Sequence, residues 1–439
     1  MKPVLAISCP ASSRSGYGDH SRDLIRSLIS MDKFDIKILD QVWGGCPRNA
    51  LNPDTDQDII TRCIGGLEAQ PDVWIQVTVP NEFQPVGKYN IGITAGMETD
   101  LISAPWVQGC NRMNLIIVPS KHSKEVFEKT TYDQQDKNTG QKTGELRVTT
   151  PIEVLFEGLD LNTYNKITDK SKLPATIVSS IDEIPEDFCF LFVGHWLSGQ
   201  LHHDRKDVGG MLQTFLHTFK DQAPRNQPAL IIKTSSATFS VIDREDMIRR
   251  INGIKAMMGS NKLPNIYLLH GDLTPSEMNG LYNHPKVKSM VSFTHGEGFG
   301  RPLLEFSVTG KPVVATNWSG HIDFLDKYGF GLPGELKPVH DSATWKDVII
   351  PESKWFYVNH GYASGVLKDV VKNYKVYLET SRKQTQYVKS NFTLEKMDEV
   401  FKDMVNRNVP EFPKQQELVL PKLPKLNPVK LPKLEKQDV

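Results

Sequence analysis

Residues 287–316, VKSMVSFTHGEGFGRPLLEFSVTGKPVVAT, form the stretch that decides the fold of this 439-residue chain. The apolar run at 287–293 is typical of a buried strand, and the glycine-rich loop after it leads into a helix with Pro302 in its first turn. A further apolar run, 311–315, predicts the next strand. Because strand, loop, helix and strand follow one another, we expect a parallel α/β sheet with the loop at the carboxyl end of its strand, where ligands bind.

The same alternation extends along most of the chain. Strands are predicted at 3–9, 34–39, 73–79, 90–95 and 114–118, and again at 188–194, 228–234, 265–269, 287–293 and 311–315. Helical patterns lie between them, for example at 19–30, 120–129, 208–219 and 275–282. The predicted fold class is therefore α/β, with two Rossmann-like, doubly wound parallel-sheet domains that face each other across a crevice.

Composition narrows the protein class. Lys plus Arg and Asp plus Glu each number 52, so the formal charge is zero, which disfavours a general nucleic-acid binder. No apolar run approaches the length that spans a bilayer, and residues 1–7 become polar too early for a signal peptide. The five cysteines form no C-x-x-C pair, as expected of reduced thiols. These features predict a cytoplasmic protein.

The glycine-rich loop has the chemistry of a nucleotide-sugar site. Gly296, Gly298 and Gly300 allow the backbone to approach a ligand closely, and free N–H groups where the helix begins favour a phosphate. Glu297 and Glu305 each carry a carboxylate that can accept two hydrogen bonds from a vicinal diol. A sugar ring and a ribose both offer such diols, so a phosphate between two polyols fits this loop.

The two glutamates also carry a family resemblance. They lie in GEGFGRPLLE with seven residues between them, and GKPVVAT at 310–316 and SGH at 319–321 follow. This arrangement resembles the E-x7-E motif of retaining GT-B glycosyltransferases of family four (glycosyl transferases group 1). The resemblance covers about residues 1–400 and implies a glycosyltransferase that moves a sugar from a nucleotide-diphosphate sugar to an acceptor hydroxyl.

The resemblance also implies roles for individual residues. Glu297 would contact the donor sugar, Glu305 the nucleotide ribose, and the backbone at Gly298, Phe299 and Gly300 the sugar and phosphates. Residues 269–274 resemble the loop beside the nucleotide base, which implicates Gly271 and Asp272, and Lys233 at a strand end is a further candidate for the diphosphate.

A second match with that family involves Arg205 and Lys206. They follow Val193-Gly194-His195 and lie where two cations of the family bind the donor diphosphate and stabilise the leaving group. The family often has an arginine directly after the glycine, where this chain has His195, so only the two cations are carried over. His202 and His203 have no spaced third ligand, so we expect a surface loop and no metal site there.

The N-terminal half resembles the family in two loops. Glu98 and Asp100 belong to a pattern that the family places at the crevice near the acceptor, although residues 97–100 contain no histidine to act as a catalytic group. The loop with Gly16, Tyr17 and Gly18 would contact the donor phosphate or the acceptor.

Two rival functions stay open. The first loop nearly matches G-x-G-x-x-G, with Ser21 at the third position, and Asp40 ends the next strand, as in an NAD(P)-dependent oxidoreductase. A catalytically silent glycan-binding protein on the same fold is the other rival. The leading interpretation needs no cofactor and no metal, since the cations replace a divalent ion, and its expected nucleotide is UDP, then GDP. The acceptor is left open.

Four regions are expected along the chain. They are residues 1–180 (acceptor-side domain), 181–365 (donor domain), 366–410 (helices that pack back towards the N-terminal domain) and 411–439 (a Lys/Pro/Leu-rich disordered tail). The prolines of the tail block helices and sheet ladders, and the tail is either a solvated end or a docking segment for a partner or an anionic surface. Polar residues 130–150 are predicted to form a surface loop.

Overall fold

The computed structural model describes residues 2–136, 138–236 and 239–413. Its strands are β1 (Val4–Cys9), β2 (Asp35–Asp40), β3 (Val73–Val77), β4 (Tyr89–Ile93), β5 (Leu115–Val118), β6 (Thr131–Gln135), β7 (Lys142–Arg147), β8 (Ile152–Val154), β9 (Cys189–Val193), β10 (Ala229–Lys233), β11 (Ile266–Leu269), β12 (Val287–Ser292), β13 (Val313–Thr316), β14 (Phe330–Leu332), β15 (Gly334–Pro338) and β16 (Lys354–Val358). The predicted tail at 411–439 lies outside the described residues from 414 onwards.

The α-helices alternate with these strands. They are α1 (Gly16–Met31), α2 (Gln57–Ile60), α3 (Ala104–Cys110), α4 (Lys121–Lys129), α5 (Ala175–Asp182), α6 (Val208–Phe219), α7 (Val241–Met257), α8 (Pro275–Asn283), α9 (Arg301–Ser307), α10 (Ile322–Leu325), α11 (His360–Lys372), α12 (Tyr374–Asn391) and α13 (Leu394–Asn408). In the described part of the chain, no helix is both long enough and apolar enough to cross a membrane.

The strands form two six-stranded parallel sheets. The N-terminal sheet has the order β2-β1-β3-β4-β5-β8 and the C-terminal sheet the order β11-β10-β9-β12-β13-β14. The strand order changes direction between β1 and β3 in the N-terminal sheet and between β9 and β12 in the C-terminal sheet. Both sheets are therefore doubly wound. The predicted fold class is therefore confirmed.

Burial on both faces explains why the central strands are almost continuously apolar. Leu5 and Ile7 of β1 lie in the cluster on one face of the N-terminal sheet, and Ala6 lies in the cluster on the other. In β10, Ile231 likewise faces one cluster while its neighbours Leu230 and Ile232 face another. Helices cover each face, so neither side of these strands needs polar residues.

The last helices connect the two halves. Val388 of α12 packs in the core of the C-terminal sheet, whereas Met397, Phe401 and Met404 of α13 pack in the core of the N-terminal sheet with Ile7. The chain thus returns to its first half after completing the second.

The prediction of a loop over residues 130–150 is wrong. Strands β6 and β7 pair there as an antiparallel hairpin, with Thr131 opposite Arg147. The hairpin is largely exposed on both faces, so no alternation of apolar and polar residues marked its strands. The second hairpin, β15 with β16, and the short edge strands β8 and β14 were also not predicted.

Truncating Phe401 tests the role of α13. The Phe401 side chain is fully buried, so Phe401→Ala should lower the free energy of unfolding by about 3–5 kcal/mol. Urea unfolding measures this change. Val376→Ala, at an exposed position of α12, is the control and should stay within about 0.5 kcal/mol of wild type. A loss of less than about 1 kcal/mol in the free energy of unfolding of Phe401→Ala would contradict the burial of α13 in the N-terminal core.

Candidate functional site

The glycine-rich loop between β12 and α9 lies directly against a loop of the N-terminal half. A Cβ atom on Gly296 would lie 2.1 Å from the backbone oxygen of Glu98, and one on Gly298 would lie 1.9 Å from that of Ala95. Gly300 precedes α9 with a φ of 93°, a backbone conformation that favours glycine. The glycines therefore bring two backbones from opposite halves into contact at the carboxyl ends of the strands.

Lys206 and Glu297 form a buried ion pair at this contact. Lys206 Nζ lies 2.5 Å from Glu297 Oε2, and Lys206 is only 9% exposed. Burial would raise the pKa of Glu297, but the ammonium of Lys206, with Arg205 beside it, outweighs burial and holds that pKa below its ordinary value. Glu297 is therefore ionised at neutral pH, and its backbone N–H donates to Ser319 Oγ at 2.8 Å.

Arg205 connects the two halves. Its guanidinium donates to the carboxylate of Glu98, which belongs to the facing N-terminal loop. Arg205 Nε is buried without a hydrogen-bond partner, so part of its donor capacity is unused. The family resemblance implies a position at the crevice for both side chains, and the structure brings them together.

A group of cations surrounds His195, directly after β9. Burial, and then the charges of Arg205, Lys206 and Lys233, lower the pKa of His195 to about 4, so its imidazole is neutral at pH 7. Lys233 ends β10, and burial lowers its pKa although Asp272 opposes the shift. Three cations near one neutral imidazole form a positive region that suits a phosphate.

Glu305 lies in a separate buried cluster around Arg301. Arg301 contacts Asp23 of α1 at 3.1 Å, Glu305 at 3.5 Å and Glu157 at 3.9 Å. Tyr282 Oη donates to Glu305 at 3.1 Å. Burial raises the pKa values of Glu157 and Glu305 to about 7, although Arg301 opposes both shifts. Arg301 is not among the residues predicted from the sequence, where its charge in an otherwise apolar first turn was the available signal.

The two glutamates of the motif thus have different surroundings. Glu297 faces Lys206 at the contact between the halves, whereas Glu305 is 7% exposed and already engaged by Arg301 and Tyr282. Phe299, between them, is 2% exposed and packs on Phe324, with ring centroids 5.3 Å apart. Only the backbone of Phe299 is therefore suited to contact a ligand.

In the first loop, which contains Gly16, Tyr17 and Gly18, most side-chain and backbone groups already contact other parts of the protein. Tyr17 Oη lies 3.0 Å from Thr94 Oγ1 and accepts from the N–H of Ala95, and a Cβ on Gly18 would lie 2.2 Å from Ser13 O. Tyr17 therefore anchors the loop that faces Gly298. Gly16 has open space around it.

Other predicted positions lie at the edges of the contact. Asp272, after Gly271 with its φ of 145°, pairs with Arg14 of the first loop at 3.5 Å. Asp100 accepts from the N–H of Lys354, at the start of β16, at 2.6 Å. Both carboxylates therefore bind groups of the opposite half, Asp272 in the first loop and Asp100 in the second hairpin.

The buried carboxyl of Glu157 generates a pH prediction. Its pKa of about 7 lies above its ordinary value of 4.5, so the folded state binds more protons between these values. The stability it contributes is complete below about pH 4.5 and is lost as the pH rises through about 7. Glu157→Gln is neutral at every pH. When the pH rises from 5 to 8, its free energy of unfolding should therefore fall by about 1–3 kcal/mol less than that of wild type.

Urea unfolding at pH 5, 6, 7 and 8 measures this difference. The exposed Glu68→Gln is the matched control and should follow the wild-type curve. A wild-type pH slope in Glu157→Gln would show that Glu157 is ionised throughout in the folded protein.

Solved structures resemble this fold, although no protein-family model and no curated protein sequence matches the chain. HepE from Anabaena, solved with UDP and glucose, has a TM-score of 0.58 and 11% identity, over 92% of this chain and 100% of HepE. Sucrose-phosphate synthase from Thermosynechococcus elongatus has a TM-score of 0.60 and 10% identity, over 93% and 99% of the two chains. OtsA, solved without ligand, has a TM-score of 0.59 and 9% identity, over 93% and 100%. The chain therefore has the GT-B fold of two Rossmann-like domains.

Proposed function

We propose that the chain is a glycosyltransferase that uses a nucleotide-diphosphate sugar, retains the anomeric configuration and needs no catalytic metal. The observation that carries the proposal is the buried ion pair of Lys206 with Glu297, with Arg205 beside it, where the two halves meet. The fold adds support, since HepE on the same fold was solved with UDP and with UDP-glucose. The resemblance of GEGFGRPLLE to the E-x7-E motif suggests family four.

Arg205 and Lys206 would bind the diphosphate of the donor. In the structure each cation is paired with a carboxylate, and a diphosphate offers the same charge with more acceptor oxygens. As the sugar–phosphate bond breaks, negative charge grows on the departing diphosphate, and the two fixed cations stabilise it in place of a divalent ion. Lys233 and the backbone N–H groups of the glycine loop would add to this stabilisation.

Glu297, released from Lys206 by the diphosphate, would accept hydrogen bonds from the donor sugar. In the structure, where Lys206 lowers its pKa, Glu297 is ionised and therefore meets the donor as an acceptor. Glu305 would bind the ribose, for which it has to exchange the hydroxyl of Tyr282 for those of the nucleotide. With retention, the acceptor hydroxyl attacks from the face that the phosphate leaves, on the side of Glu98. UDP is the first nucleotide to test, followed by GDP.

The contacts of Asp40 weigh against the oxidoreductase alternative. Asp40 accepts from the N–H of Ser12 at 3.0 Å, from Ser12 Oγ at 2.6 Å and from Arg48 at 2.7 Å. A carboxylate that holds its own loop in this way has little capacity left for a ribose. A silent glycan-binding protein differs from the proposal only in turnover, so activity assays separate the two.

Charge removal at the ion pair tests the mechanism. Lys206→Ala and Glu297→Gln should each lower turnover of the preferred nucleotide sugar by about 10²-fold or more, because each removes a group that acts in the transition state. Release of nucleoside diphosphate measures turnover, and NMR of the product sugar reports its anomeric configuration. Lys375→Ala, exposed on α12, is the control and should keep wild-type turnover. Unchanged turnover in both site variants would remove the proposed mechanism.

Ligand-dependent melting distinguishes the function classes. Binding to the folded state raises the melting temperature according to the ratio of ligand concentration to Kd. A screen of UDP, GDP, ADP and NAD should show a shift with a nucleoside diphosphate that is reduced in Lys206→Ala. A shift with NAD alone would favour the oxidoreductase, and a diphosphate shift without any donor turnover would favour the silent binding protein.

A further inference from the structure

We infer that His202, Asp207 and His360 form a binding site for a divalent transition-metal ion of the Zn²⁺ class. His202 and Asp207 flank the loop with Arg205 and Lys206, and His360 begins α11. The sequence alone predicts no metal here, because His202 and His203 have no spaced third ligand. The fold supplies it from a distant part of the chain.

The distances suit an ion better than direct hydrogen bonds. His202 Nδ1 lies 3.8 Å from Asp207 Oδ1, and His360 Nε2 lies 3.8 Å from Asp207 Oδ2. All three ligand atoms lie within 4.8 Å of one another. These separations are too long for hydrogen bonds. An ion bonded to each ligand atom at about 2.0–2.2 Å would draw these atoms closer together.

Two of the ligand atoms are buried without partners. Asp207 is 0% exposed, and its Oδ2 has no hydrogen-bond partner. His202 Nδ1 is likewise buried and unpartnered. Leaving a buried carboxylate oxygen unpaired costs free energy, which a bound cation would offset.

The surrounding groups orient the ligands as in metal sites. His202 Nε2 lies 2.6 Å from Gln213 Oε1, an acceptor, so this nitrogen carries the proton and Nδ1 keeps its lone pair. His360 Nδ1 lies 2.8 Å from Thr214 Oγ1, which can accept a hydrogen bond from Nδ1–H and so leave the lone pair of Nε2 free to bind. Such partners fix the orientation and tautomer of metal-binding histidines.

Gly210 leaves room for the cluster. A Cβ atom there would lie 2.5 Å from His202 Nδ1 and 2.3 Å from Asp207 Oδ1. Asp207 Oδ1 also accepts from the N–H of Gly210 at 3.1 Å, so the carboxylate is held by the first turn of α6. Two imidazoles and one carboxylate favour Zn²⁺ or a similar ion over Mg²⁺, which prefers oxygen ligands.

The ion would fix the loop between its ligands. His202 and Asp207 lie on either side of Arg205 and Lys206, and a shared ion ties both ends of this segment to α11. Its role is structural, and it stands apart from the proposed transfer reaction, so it is tested by metal content and stability and not by turnover.

Metal content is measured on the untagged full-length chain. After chelator treatment and reconstitution with Zn²⁺, elemental analysis should find one ion per chain, with a raised melting temperature relative to the chelated protein. His360→Gln and His202→Gln should bind less than a tenth of an ion and lose the Zn²⁺-dependent shift. His203→Gln is the matched control, because His203 faces His340 and Tyr357 instead, and it should bind as wild type does.

Co²⁺ provides a readout that does not depend on the variants folding. Wild type loaded with Co²⁺ should show visible absorption bands of a four-coordinate site, and Zn²⁺ should abolish them. Wild type that binds neither ion at micromolar concentration would overturn the inference. Full Zn²⁺ binding by both His360→Gln and His202→Gln would overturn it too, since the ion would then lie elsewhere.

Discussion

Charge buried between the two halves is the constraint on which this structure depends. A charge that leaves water costs several kcal/mol unless a partner of opposite sign comes with it. Three ion pairs offset this cost: Arg205 with Glu98, Lys206 with Glu297, and Arg301 with Asp23. Two of the three pairs join opposite halves, so the electrostatic balance of each half is complete only when the other is in place.

The glycines of the loop make these pairs possible. Because Gly296 and Gly298 carry no side chain, the backbones of the two halves touch, and charged side chains from both then lie within bonding distance. Tyr17 strengthens the arrangement from the N-terminal side by holding Thr94 and Ala95. Backbone packing and charge pairing therefore specify the same relative position of the two sheets.

Sequence predicted what depends on local pattern and missed what depends on distant contacts. Ten of the strands in the two sheets were predicted, and the eight central ones were visible because burial on both faces demands apolar runs. The hairpin of β6 and β7 is largely exposed, so it left no such run. Lys206 and Glu297 were each identified from their own motif, yet nothing in either motif states that they pair. His360 had no local signal at all, because only the packing of α11 brings it to His202.

The pairing of cations with carboxylates also bears on how a ligand would enter. A diphosphate that takes Arg205 and Lys206 leaves the partly buried carboxylates of Glu98 and Glu297 without their partners, which is unfavourable. Glu297 can regain hydrogen bonds from sugar hydroxyls beside the diphosphate, whereas Glu98, on the other half, can regain them only from water or from an acceptor. Under the proposed function, donor binding would thus weaken the contact between the halves at Glu98, the side proposed for the acceptor hydroxyl.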